Sequence, residues 1–159
     1  MNIRRWLSAC LVICLLTASA NALDESDATR IDSLAKKSLQ LEQDLSSAQK
    51  GSPPTGKAWE CLNELHHHVE MVSVQIDSLR SMALLGLSMN DKSDEQIVLE
   101  FLNEYATRFL EHLDISRQGI NSAVGYCSSN NIAVAKAQEI LRFYDEATSV
   151  VRSMMGKVP

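Results

Sequence analysis

The chain of 159 residues carries 20 acidic against 15 basic side chains, a net charge of −5, with 45% hydrophobic and only 5% aromatic residues. An acid excess repels phosphate backbones, and no basic cluster interleaved with aromatics offsets it, so nucleic acid is excluded as a partner. The length suits one domain that buries about two-thirds of its unfolded surface.

Residues 1–22 read as an export signal. Arg4 and Arg5 precede an apolar run from Leu7 to Leu16 broken only by Ser8, and Ala20-Asn21-Ala22 supplies the small-x-small pattern that a signal peptidase accepts. The run is shorter than the roughly 20 residues of a membrane span, so a cleaved leader is expected rather than an anchor, and no stable span remains after cleavage. Leu7-Ser8-Ala9-Cys10 looks like a lipidation box, but Cys10 precedes most of the apolar run that a lipidated cysteine should follow. Cys14 has bulky Val12 and Ile13 before it, so both cysteines are expected to leave with the leader. Residues 23–159 then hold 13 basic and 20 acidic side chains, a net charge of −7, in a single domain.

Four helices are predicted in that domain, and with proline confined to positions 53, 54 and 159, nothing in it alternates as a strand would. The first spans about 27–50, with a sparse stripe of Ile31, Leu34, Leu41 and Leu45 and with Leu39 off it; it is expected to be the least tightly packed. Gly51-Ser52-Pro53-Pro54-Thr55-Gly56 breaks the pattern. The second helix, about 57–89, carries a coiled-coil-like seam of Ala58, Leu62, Leu65, Val69, Val72, Ile76, Leu79 and Ala83 at steps of four and three. Met82, Leu84, Leu85, Leu87 and Met89 widen its apolar surface, and burial of that helix end is expected, with a hydrophobic contact surface as the alternative.

Asn90–Ser93 is a polar turn, with Ser93 or Asp94 as the expected cap of a third helix over about 94–128. Its seam is read through Val98, Leu102, Tyr105, Phe109, Leu113, Ser116, Ile120, Ala123 and Cys127, and Gly119, Ser122 and Gly125 allow close helix approach. After Ser128–Asn131 a fourth helix, about 132–155, presents Ala133, Ala137, Ile140, Tyr144, Ala147, Val151 and Met154. The fold class is thus all-α, an antiparallel up-and-down bundle of about four helices.

Cys61 and Cys127 lie at nearly equal distances from the polar turn, on or beside the facing seams. In an exported chain with two remaining cysteines, pairing is the default. A Cys61–Cys127 disulfide is therefore expected to clamp the open end of the second and third helices. No Cys-x-x-Cys suggests a redox pair.

Few residues suggest chemistry. His66, His67 and His68 fan around a helix and cannot all reach one metal. Glu64 with His67 makes one Glu-x-x-His, half of the di-iron arrangement of helical bundles, without a second copy. His112 should lie about two turns from the histidine run. The candidate ligands for a metal- or ligand-carrying bundle are Glu64, His67, His68 and Met71, but no metal or other cofactor is expected. Covalent haem lacks its Cys-x-x-Cys-His, and methionines on apolar faces ordinarily fill core space. No Gly-x-Ser-x-Gly, Ser-x-x-Lys or phosphate loop appears. Trp59, beside the proline corner, is the candidate partner-binding anchor.

These features point to an exported, non-enzymatic module that is periplasmic or secreted and acts by binding protein, of the inhibitor, immunity or envelope-adaptor type. The alternative is a metal- or ligand-carrying bundle. Strict four-and-three seams also permit a homodimer, which would bury leftover apolar surface on the first two helices.

Overall fold

A computed structural model describes residues 23–54 and 56–156. These residues form an antiparallel four-helix bundle of α1 (Glu25–Lys50), α2 (Lys57–Ser88), α3 (Lys92–Tyr126) and α4 (Asn131–Met155), and no strand occurs among them. The all-α, up-and-down architecture expected from the sequence is the one adopted. The leader expected over residues 1–22 lies outside the described residues.

Helix starts are set by short polar side chains that satisfy backbone donors lacking an intrahelical acceptor. At α1 a capping box does this. The Asp24 carboxylate accepts the Asp27 N–H at 2.9 Å, and Asp27 accepts the Asp24 N–H at 3.3 Å, so the helix starts two residues before its predicted position. The cap of α3 is Asp91, not Ser93 or Asp94. Its carboxylate accepts the Ser93 N–H at 2.7 Å and the Ser93 hydroxyl at 2.8 Å, which leaves Asp94 and Glu95 inside the first turn, where the helix dipole favours them. Asn130 caps α4 by accepting the Ile132 and Ala133 N–H groups at 3.0 and 3.2 Å.

The core is one continuous cluster. All seven predicted seam residues of α4 are buried, as is the α2 seam from Leu62 to Ala83. On α1, Ile31, Leu34, Leu41 and Leu45 are buried and Leu39 is exposed, as expected, but the helix is docked along its length rather than loosely held. Ser38 fills the gap in the stripe. Its hydroxyl bonds the Ala35 carbonyl at 2.9 Å and the Ser73 hydroxyl at 3.2 Å, so a polar residue sits in the seam without an unmet bond.

On α3 the first half of the seam differs from the prediction. Leu99 and Ala106 are buried where Val98 and Tyr105 were expected, and the latter two are only partly covered. The observed line 99, 102, 106, 109, 113, 116, 120 alternates steps of three and four without fault, whereas the predicted line took two consecutive steps of four around Phe109. A stripe with that fault drifts off the contact face.

Around the bundle α1 packs on α2 and α4, and α3 packs on α2 and α4. α2 and α4 also meet across the diagonal, while among the described residues α1 and α3 do not. The antiparallel register of α2 and α3 is regular. Cys61, His68 and Gln75, seven residues apart, face Cys127, Gly119 and His112, eight and seven apart.

Candidate functional site

The cysteines predicted to pair are joined, with Cα atoms 5.8 Å apart and both side chains buried. Cys61 lies in the second turn of α2 and Cys127 ends α3, so the covalent link closes the end of the hairpin opposite its turn.

Two turns along from the disulfide, the small residues of α3 let the helices come close. A methyl group on Gly119 would stand only 2.3 Å from His68 Nε2. The His68 side chain is 12% exposed, neither ring nitrogen has a hydrogen-bond partner, and the Glu64 carboxylate stands 3.6 Å from Nε2. Burial holds the imidazole below its ordinary pKa, while the Glu64 charge opposes that shift. The backbone carbonyl of His68 accepts the Tyr144 hydroxyl at 3.1 Å, which fixes the diagonal between α2 and α4. Burial pushes that hydroxyl far above its usual range.

The metal-ligand candidates are divided between two places. Glu64 and His68 pair with each other at i and i+4, against Gly119. His67 and Met71 instead line a groove on the outer side of α2 and α3, together with His112. Among the described residues no three His, Cys, Asp or Glu side chains converge on one point where a metal ion could sit. Trp59 is half-buried in the first turn of α2.

The feature that sequence reasoning missed is the outer α2–α3 face. Of ten large apolar side chains exposed among the described residues, eight lie on these two helices. The end of α2, expected to be buried, leaves Leu84, Leu85 and Leu87 exposed at 49%, 48% and 37%. A segment apolar on all sides can turn only one of them inward, and here only the Gly86 side is covered, by Leu23 and Val98. Further along, Met71, Val74 and Ile115 stand at the surface beside His67, Gln75 and His112, lining a groove of 660 Å³. The same two helices leave a second depression, of 250 Å³, against Met82, Phe101 and Tyr105.

Charge is distributed with the same bias. α2 and α3 carry ten carboxylates against five basic residues, whereas α1 and α4 carry eight against seven. Cross-helix ion pairs rim every other lateral interface. Asp32–Arg80 joins α1 to α2, Asp44–Lys136 and Lys37–Glu146 join α1 to α4, and Arg117–Asp145 joins α3 to α4. Between α2 and α3 the described residues make none, and Gln75 with His112 is the polar tie across the rim. Glu70, Glu111 and Asp114 of these helices take part in none of the ion pairs among the described residues.

Fold and site together define a disulfide-clipped four-helix bundle with two depressions between α2 and α3 lined by exposed apolar side chains. No protein-family model, curated protein or solved structure matches the chain.

Proposed function

We propose that the chain is an exported, non-enzymatic protein-binding module, of the inhibitor, immunity or envelope-adaptor type, which works in the periplasm or outside the cell and binds its partner through the outer face of α2 and α3. The observation that carries this is that four exposed large apolar side chains, Met71, Val74, Ile115 and Phe101, line the two depressions between α2 and α3. Exposed apolar surface on a small domain costs solubility, and where it is gathered on one side and rimmed by charge it is characteristic of interaction sites. Export follows from the leader pattern at residues 4–22, and the Cys61–Cys127 link suits an oxidising compartment. A homodimer through this face would set one acid excess against another, so a different protein is the better occupant.

Crosslinking in the envelope of the producing cell, followed by purification of the chain, tests this reading. A stoichiometric protein partner recovered with the wild-type chain and no turnover of its own is the expected result. Recovery of the uncut chain from the cytosol, free of any partner, would defeat it.

A further inference from the structure

Building on the binding-module reading, we infer that the α2–α3 groove receives a cationic amphipathic helix of the partner protein, held by apolar side chains seated in the two depressions. The groove between two antiparallel helices is a track that a third helix can follow, with its apolar stripe inward. Met71 lines one depression and Met82 the other, 11 residues apart on α2, or about 16 Å and three turns along the axis. A docked helix therefore presents apolar side chains about three turns apart, the first of them beside the polar contact of Gln75 with His112.

The charge of the occupant follows from the rim. Glu70 lines the first depression and makes no ion pair among the described residues, Glu104 lines the second and is held only by Arg108 of its own helix, and no ion pair crosses from α2 to α3, so Lys or Arg flanking the apolar stripe supplies the cross-helix ion pairs that the other interfaces already possess. The α1–α4 groove offers a contrast. It is lined by two basic side chains, Lys37 and Arg142, and two acidic ones, Glu139 and Glu146, so it has no acid excess to offer a cationic helix. A second copy of this chain would bring the same acid excess to the face, and an anionic lipid surface would be repelled by it.

The test uses the oxidised mature chain and a synthetic helix of about 18 residues with lysine on one face and leucine on the other, read by fluorescence polarisation. A matched peptide with glutamate for lysine serves as control. The lysine peptide is expected to bind and the glutamate peptide not, and binding should weaken as salt rises from about 0.1 to about 1 M, where the screening length shortens from about 10 to about 3 Å. Val74→Ser with Ile115→Ser, which removes apolar contact without changing the charge, at positions 64% and 63% exposed and so harmless to the fold, should weaken binding about tenfold or more. Leu39→Ser with Ile132→Ser, on α1 and α4, should leave it unchanged. Equal binding of both peptides, no binding at all, or greater loss in the Leu39/Ile132 pair would overturn the proposal. So would a wild-type dimer that the Val74/Ile115 pair dissociates, or tighter binding to anionic phospholipid vesicles than to the lysine peptide. A native partner that still crosslinks to the Val74/Ile115 variant would remove this groove as the site and leave the binding-module reading standing. Absence of any native partner would defeat that reading, while the peptide arm would still report on the groove.

Discussion

Replacing Gly119 by alanine sets two opposing effects against each other at the closest approach of α2 and α3. Alanine in a helix interior is better than glycine by about 1 kcal/mol, so on propensity alone the variant should be more stable. The new methyl group, however, would lie 2.3 Å from Nε2 and 2.4 Å from Cε1 of His68, well inside contact distance. The ring is largely buried between the helices, so it has little room to swing away. Overfilling a packed interior costs about 1–3 kcal/mol, which leaves a net loss of about 1 kcal/mol for Gly119→Ala. With His68→Ala in the background the obstruction is gone, and the same substitution should gain about 1 kcal/mol. Urea unfolding of wild type, both single variants and the double variant gives the coupling directly, with an expected interaction of about 2 kcal/mol. A stabilising Gly119→Ala in the wild type, additive with His68→Ala, would show that the two residues do not meet as described.

Three further outcomes follow from the same structure. Because burial lowers the His68 pKa, the fold prefers the neutral ring; its contribution is complete above about pH 6.5 and is lost as pH falls below that value towards the folded-state pKa. The urea midpoint of the wild type should therefore drop more between about pH 7.5 and about pH 5 than that of His68→Gln, and parallel pH profiles would contradict this. Removing the disulfide as Cys61→Ala with Cys127→Ala frees a loop of sequence separation 66, and should cost about 4 kcal/mol, a fall in Tm of roughly 10–15 °C by calorimetry. Asn130→Ala removes the acceptor for two N–H groups at the start of α4 and should cost about 1 kcal/mol in the same unfolding assay, whereas an unchanged midpoint would mean that the cap adds nothing.

The elements that depend on one helix alone were legible from the amino-acid order. The α4 stripe and the α2 seam are apolar at regular steps, so periodicity finds them, and the two cysteines fall in register once the hairpin is drawn. Ser38 was invisible to a search for apolar residues because its polarity is cancelled by partners on Ala35 and Ser73, which exist only after α1 docks. The slip on α3 had a signal in the sequence: insisting on alternate steps of three and four selects Leu99 and Ala106 over Val98 and Tyr105. The exposed face had a partial signal, the all-round apolar end of α2, but none that placed it. Whether Leu84, Val74 or Phe101 is covered depends on which sides of α2 and α3 have neighbours, and hydropathy alone does not say which corner of a four-helix square is empty. His68 was weighed as a ligand for its chemistry, but the feature that defines its surroundings is Gly119, a residue far along the chain with no side chain to announce the contact.

The Cys61–Cys127 bond and the short connection near Met89 together convert α2 and α3 into a covalent ring. A protease that cuts once anywhere inside this ring, at the exposed Asn90 or Asp91 for instance, leaves both strands of the hoop attached and the two rails still aligned. Loss of either terminal helix to digestion would likewise spare the hoop. The two helices that carry the proposed binding face are thus the part of the molecule that a single nick cannot set adrift.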